Sequence, residues 1–300
     1  MYNYDQMKLK QQIVVTGSSG FIGRNLTELL IQKGYEVFRL DRAFFLQFSN
    51  NTEASNQQLA DWSGVKKKPY ALIHLAAESI PSFVTENTKD ININLTKIIL
   101  NYFEPERFIF ASSALVYKSS DQRLTEASAT VPQTLYGKSK LSCEKLILDR
   151  LEGKAIVLRI FNAIGPNMNE RLFVPSLIRK IKEAESRKEN TIYMDGEDGI
   201  RSFLYIDDLV NAILLTMNCN IVPSILNICS SSSIRLSDFA ARLSQRMHQN
   251  NQFIFKPSPL LSESIFIGSN KLSRQYLGDY NMIDIDECIH RLIGENQCPL

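Results

Sequence analysis

Tyr136 and Lys140 stand four residues apart in Tyr136-Gly137-Lys138-Ser139-Lys140, a spacing that puts both side chains on one face of a helix. A free phenol titrates near ~10 and is a poor proton-transfer group at neutral pH. A neighbouring ammonium is expected to lower that value. A Tyr-xxx-Lys pair is common in itself. What gives this one meaning is Ser113, at the end of the apolar run Phe108-Ile109-Phe110-Ala111. Carboxyl ends of parallel strands are where doubly wound sheets place their ligands. A hydroxyl there can donate to a carbonyl or an alkoxide. Ser113, Tyr136 and Lys140 are therefore the candidate catalytic trio.

A second constellation lies upstream, in Thr16-Gly17-Ser18-Ser19-Gly20-Phe21-Ile22-Gly23. It sits between the buried-strand run Ile13-Val14-Val15-Thr16 and a helix face marked by Phe21, Ile22, Leu26, Leu29 and Leu30, the context a dinucleotide site needs. Gly17 permits the tight turn, Gly20 lets the backbone approach a pyrophosphate, and Gly23 lets helix and strand pack closely. The helix N-terminus, with Ser19, Phe21 and Ile22, offers unpaired N–H groups to phosphates. The spacing is GxxGxxG rather than GxGxxG. Asp41 ends the second strand eighteen residues after Gly23, placed to accept from an adenosine ribose and so to favour NAD. Arg42 is either a partner for a 2′-phosphate, which leaves NADP open, or a solvated charge. The positive ring of an oxidised nicotinamide adds to the expected lowering of the Tyr136 phenol.

The elements that must hold these residues alternate. Strands are expected at 13–16, 35–40, 71–75, 108–111 and 155–160, with helices after Phe21, over about 88–102 and over about 136–151; Gly34 sits at a helix stop. That rhythm predicts an α/β fold, a doubly wound parallel sheet covered on both faces. The polar stretch 49–58 reads as a loop where many nucleotide-binding folds carry a strand. After Gly165-Pro166 the pattern changes: helices near 174–187, 207–217 and 236–248, strands near 191–194 and 224–228. The division expected is a dinucleotide-binding domain over 1–165 and a smaller α/β substrate domain over 166–300, with about 201–230 returning to the first.

Composition sets limits. Among 300 residues, 34 Lys and Arg stand against 32 Asp and Glu, a net charge of +2, without the basic excess of a nucleic-acid binder. No apolar run approaches the ~18 residues of a membrane helix, and the polar first ten residues lack the apolar core of a signal peptide. Five scattered cysteines and three histidines at no ligand-like spacing point to reduced thiols, a cytoplasmic location and no metal.

With six motifs in order, the sequence resembles the extended short-chain dehydrogenase/reductases of the NAD-dependent epimerase/dehydratase family, which act on nucleotide sugars. The resemblance spans roughly 12–278. It rests on the glycine loop, His74-Leu75-Ala76-Ala77, Ser112-Ser113-Ala114-Leu115-Val116-Tyr117, Tyr136-Gly137-Lys138-Ser139-Lys140, Arg159-Ile160-Phe161-Asn162 with Gly165-Pro166, and Arg201-Ser202-Phe203 with Asp207-Asp208. It implies a Rossmann fold and the trio in catalysis, with Tyr136 moving the proton and Lys140 also holding the nicotinamide ribose. Leu75, Ala76 and Ala77 would line the cofactor and Asn92 support the site. Ser79, Ser113, Asn162, Val174 and Arg201 would meet a nucleotide-diphosphate sugar, with Asn162 toward the diphosphate and Arg201 toward the nucleotide. Arg201 pairing with Asp207 or Asp208 is the structural alternative. His74 reads as a packing residue.

The same resemblance implies hydride exchange at the sugar C4 and a homodimer through the helices near 88–102 and 136–151. Ile98, Ile99, Leu141 and Leu146 on those helices read equally as core. Dehydratases of the family carry an Asp-Glu pair after the serine; here Ala114-Leu115 stand there, against dehydration. A 4-ketoreductase and a 4-epimerase with tightly held NAD remain, the reductase favoured by compression between Arg42 and Tyr70, where Asp61 is the stand-in for an adenine-side aspartate. By the same resemblance, sugars that end up in bacterial surface polysaccharides, deoxysugars among them, would be the substrates of either. A non-catalytic dinucleotide sensor is the rival class, and the intact trio argues against it. Lys118, Lys256 and Ser269 depart from the family pattern, which touches sugar and base identity more than mechanism.

Overall fold

The structure is a computed structural model that describes residues 11–40, 65, 67–78, 85–256, 265–280 and 283–296. The chain forms two compact units. One comprises Met1–Val116, Thr130–Arg159 and Val210–Leu226, the other Tyr117–Ala129, Ile160–Leu209 and Asn227–Leu300.

The first unit is built on buried apolar strands. β1 (Gln12–Thr16), β3 (Ala71–His74) and β5 (Ala155–Ile160) are buried along their whole length. Such strands carry side chains into both faces and need helices on each. With β2 (Glu36–Leu40), β4 (Arg107–Ser113) and β10 (Ile225–Ile228) they form a six-stranded parallel sheet in the order β10-β5-β4-β3-β1-β2. β1 pairs in parallel with β2 on one side, Val14 opposite Phe38, and with β3 on the other, Val14 opposite Leu72. The strand order therefore reverses beside β1, which leaves a crevice at the carboxyl ends of β1 and β3. The α/β, doubly wound architecture expected from the strand–helix rhythm is the one found.

Helices α1 (Phe21–Gln32), α2 (Glu86–Tyr102) and α3 (Leu135–Arg150) cover this sheet. Ile99, Leu100 and Phe103 join Cys143 and Ile147 over Val14, Leu72, Phe108, Phe110 and Val157 in one core cluster. Ile98 and Leu146 are partly buried against it. Leu141 is half-buried, whereas Ile91 is 59 % exposed. α2 starts two residues earlier than the periodicity suggested, and Leu75 falls just past β3. The loop at 49–58 and Asp61 lie outside the described residues.

In the second unit, α4 (Phe173–Arg187) and α6 (Leu236–Arg246) are strongly amphipathic, and Phe239 meets Phe203 at 4.6 Å between ring centres. β7 (Thr191–Asp195) pairs in parallel with β12 (Gln252–Lys256). β6 (Asn162–Ile164) pairs with β9 (Phe203–Tyr205), and β8 (Ile200–Arg201) lies between β11 (Ile234–Arg235) and β13 (Ile265–Phe266). Helix α5 (Ile206–Asn218) starts in this unit and ends in the first. α7 (Lys271–Leu277) and α8 (Ile285–Asn296) close the described chain. Among the described residues no helix is long and apolar enough to cross a membrane. Cys143, Cys219, Cys229 and Cys288 are free thiols.

Candidate active site

The glycine loop turns as its spacing requires. Gly17 has φ +69°, and a Cβ there would lie 2.7 Å from the Ala76 backbone nitrogen. A side chain at Gly23 would run into the Gly17 carbonyl and come within 2.7 Å of the Ser18 Cα. β1, β3 and the start of α1 therefore touch backbone to backbone. α1 opens on Gly20 with no side-chain cap and no acidic group in its first turn. Its N–H groups and the positive end of its dipole are left for an anion. An uncapped helix start beside a cradle that any Cβ would fill fits a dinucleotide's pyrophosphate. Ser19 and Gly20 are exposed, and Phe21 and Ile22 half-exposed, around that opening. Leu75, Ala76 and Ala77 follow β3, partly exposed, with the Ala76 N–H bonded to the Thr16 hydroxyl at 3.2 Å. Asp41, Arg42 and Ser79 lie outside the described residues.

The trio gathers in the same unit. Ser113 ends β4, and its hydroxyl hydrogen-bonds with the Tyr136 phenol. Thr134 caps α3 by accepting from the Gly137 N–H at 3.0 Å, which starts the helix just before Tyr136. Gly137 sits where a side chain would strike the Leu115 carbonyl and approach the Pro132 Cβ at 3.0 Å, so Tyr136 is pressed close to the turn after Ser113. The Lys140 ammonium donates to the Ala111 carbonyl at 2.7 Å and lies 4.7 Å from the centre of the Phe110 ring and 5.8 Å from that of Tyr136.

Burial sets the charge states. The Tyr136 phenol is pushed up to about 12 by burial, with the Ser113 hydrogen bond acting against it. This reverses the lowering expected from its lysine neighbour: desolvation of a phenolate outweighs an ammonium already committed to Ala111 and the Phe110 face. Lys140 is pushed down to about 8 by burial, opposed by Cys143 and Glu144. In the protein alone Tyr136 thus keeps its proton at neutral pH.

Asn92 is buried beside the trio. Its Oδ1 accepts from the Glu78 N–H at 2.9 Å and its amide donates to Ser139 at 3.3 Å. His74 is fully buried between Thr16 (2.7 Å) and Thr96 (3.0 Å), and burial, then Lys140, push it down to about 3. Sequence reasoning assigned Thr16, Ser112, Ser139 and Arg159 no role beyond motif membership and did not single out Thr96 or Glu144. Glu144 and Arg159 form a buried ion pair at 2.7 Å, to which the Ser112 hydroxyl also donates. A signal existed: Arg159 interrupts an otherwise apolar strand, and Glu144 is one helical turn beyond Lys140.

The sequence-selected substrate residues that are described, apart from Ser113, lie in the second unit. Asn162 donates to the Ser202 carbonyl at 3.4 Å. Arg201 stacks on Phe266 at 5.4 Å and donates to the Ile200 carbonyl. Asp207 meets Arg291, and Asp208 accepts from the Ile283 N–H. Val174 is buried and borders a groove of about 620 Å³ with Gly165, Pro166, Ile178, Lys182 and Leu292; none of the trio lines it.

Fold and site define a Rossmann-type nicotinamide enzyme with a Ser-Tyr-Lys trio. The profile described as the NAD dependent epimerase/dehydratase family matches residues 13–229, and the chain belongs to that family, with a nicotinamide dinucleotide, NAD or NADP, as its cofactor. The dTDP-4-dehydro-6-deoxyglucose reductase of Escherichia coli is 26 % identical over 96 % of this chain and 98 % of its own length. The UDP-glucuronic acid decarboxylase 1 of Xenopus tropicalis is 27 % identical over 83 % of this chain, which spans 63 % of that protein. A UDP-glucose 4-epimerase of Thermotoga maritima, solved with UDP-glucose, shares the fold at a TM-score of 0.79 and 21 % identity, over 95 % of this chain and 98 % of that one. The chain is thus a nucleotide-sugar-modifying enzyme of this family.

Proposed function

We propose that the chain is an NAD(P)H-dependent 4-ketoreductase of a nucleotide-diphosphate deoxysugar, the kind used in surface polysaccharides. The carrying observation is the buried Tyr136 phenol hydrogen-bonded to Ser113, where burial favours the protonated form. A reductase needs that form, a proton donor at the start of turnover. The reduced nicotinamide supplies the hydride to the C4 carbonyl carbon. Ser113 and Tyr136 donate hydrogen bonds to the carbonyl oxygen, and the Tyr136 proton moves to it as negative charge develops. The Lys140 ammonium holds the ribose and favours the phenolate left behind. The glycine-loop N–H groups, Ala76 and Ala77 hold the dinucleotide, with Asp41 and Arg42 on its adenosine side. Ser79, Asn162, Val174 and Arg201 take the sugar nucleotide. Ala114 and Leu115 offer no acid or base for eliminating water. The likeness in length and span to the reductase of Escherichia coli supports the same reading.

The enzyme would work in the cytoplasm, in keeping with its free thiols, as a homodimer paired through α2 and α3, where Ile91 is exposed. The test is to add a thymidine diphosphate 4-keto-6-deoxy sugar to the purified protein with NADH or NADPH. Stoichiometric loss of absorbance at the nicotinamide band supports the reductase. Interconversion of 4-epimers with retained cofactor and no net consumption would assign a 4-epimerase instead.

A further inference from the structure

We propose that His74 is a positioning residue: as the neutral tautomer protonated on Nε2, it joins the dinucleotide cradle to the helix of Tyr136 through one directed run of hydrogen bonds. This rests on the dinucleotide and proton-donor placement proposed above.

The direction of each bond follows from its neighbours. The Ala76 N–H donates to Thr16 Oγ1 at 3.2 Å, so the Thr16 hydroxyl proton is free to point at His74 Nδ1, 2.7 Å away. On the other side, the Thr96 hydroxyl has the Asn92 carbonyl at 3.0 Å and the Cys143 sulfur at 3.3 Å as acceptors, and its oxygen receives from His74 Nε2 at 3.0 Å. With the proton on Nδ1 instead, the Thr16 hydroxyl has no acceptor among the described residues, at 0 % exposure. A buried donor left unmade costs about 1–3 kcal/mol, enough to select the tautomer. Thr96 meets the main-chain carbonyl of Asn92, whose side-chain amide donates to Ser139 at 3.3 Å, and the Ser139 hydroxyl donates to the main-chain carbonyl of Tyr136 at 2.8 Å.

Every side chain in the run is buried: Thr16, His74, Thr96, Asn92 and Ser139. Its two ends matter to the reaction. Ala76 is the backbone against which Gly17 packs. Tyr136 is the proton donor. Imidazole suits the middle position because a rigid ring presents an acceptor and a donor on opposite edges. It bridges Thr16 at the end of β1 and Thr96 on α2. A phenylalanine would fill the space and make neither bond. The run makes the glycine loop and α3 move together, so loosening the α2 side should be felt by the dinucleotide.

The test uses the full chain and NADH alone, so it does not depend on which sugar is the substrate. NADH affinity is measured by fluorescence for wild type, Thr16→Val, Thr96→Val, Thr96→Ser and the Thr16→Val/Thr96→Val pair. The long-range ¹⁵N spectrum of the three histidines is recorded at pH 7. The expected result is Nε2–H on His74, with Thr16→Val and Thr96→Val each weakening NADH about three- to tenfold, the loss of one hydrogen bond. The pair should be no weaker than the worse single variant, and Thr96→Ser should bind as wild type. Thr96→Val binding NADH as tightly as wild type, losses that multiply in the pair, or an Nδ1–H or doubly protonated His74 would overturn the proposal. Absence of NADH binding in wild type would count against the cofactor placement, and the tautomer would still judge His74. A failed sugar assay with these NADH results intact would count against the reductase reading alone.

Discussion

Replacing Glu144 by Gln probes how the sheet and the helix of Tyr136 are held together. The Arg159 guanidinium meets Glu144 at 2.7 Å through Nη2 and at 3.1 and 3.2 Å through Nε, and the side chains are only 5 % and 2 % exposed. Water cannot take over either charge. Removing one partner of such a pair costs about 3–5 kcal/mol, because the surviving buried ion loses its strongest opposite charge. That is a large share of the ~5–15 kcal/mol that holds a typical protein folded. Replacing both partners with apolar side chains, Glu144→Leu with Arg159→Met, removes the stranded charge. The Ser112 hydroxyl then loses its Glu144 acceptor, a cost of about 1–3 kcal/mol. The double variant should therefore be more stable than Glu144→Gln, far from the sum of the two singles. Urea unfolding followed by fluorescence, at one fixed NAD concentration so that ligand linkage is constant, measures this. A Glu144→Gln loss below about 1 kcal/mol, or a double variant as unstable as the added singles, would refute the argument.

Gly23→Ala should abolish detectable NADH binding by fluorescence titration or prevent folding by circular dichroism, since its methyl group would overlap the Gly17 carbonyl and crowd the Ser18 Cα; wild-type affinity in a folded variant contradicts the packing described. Lys140 gives opposite pH trends in two assays. Its folded-state value is depressed to about 8 from 10.5, so between those values the unfolded chain binds more protons and this group's contribution makes stability rise with pH. On the proposed mechanism turnover uses the ammonium, so kcat/KM of the proposed reduction should fall as pH rises through about 8, while Tyr136, pushed up to about 12, keeps its proton. A kcat/KM flat to pH 10 contradicts this. Asp41→Ala should weaken NADH binding at least about threefold, the loss of one hydrogen bond, and leave NADPH within twofold; equal losses for both cofactors sink the ribose assignment.

Much of the first unit was legible because β1, β3 and β5 are buried along their length and so read as largely apolar runs. The glycine turn and the nearness of Tyr136 to Lys140 were legible because short spacings set them. What the sequence withheld is set by contacts distant along the chain. His74 meets partners 58 and 22 residues away, and only the folded sheet brings Thr16 and Thr96 to its two edges. The direction of the Tyr136 shift depended on burial, which a motif does not report. The Glu144–Arg159 pair crosses from helix to strand, so neither residue alone identified the other.

The most direct measurement is NADH oxidation with a thymidine diphosphate 4-keto-6-deoxy sugar, wild type against Tyr136→Phe, with NADH affinity measured in parallel. Tyr136→Phe should bind NADH within about twofold of wild type and turn over at least about a hundredfold more slowly, the range of a lost general acid. Undiminished turnover by Tyr136→Phe would contradict this role.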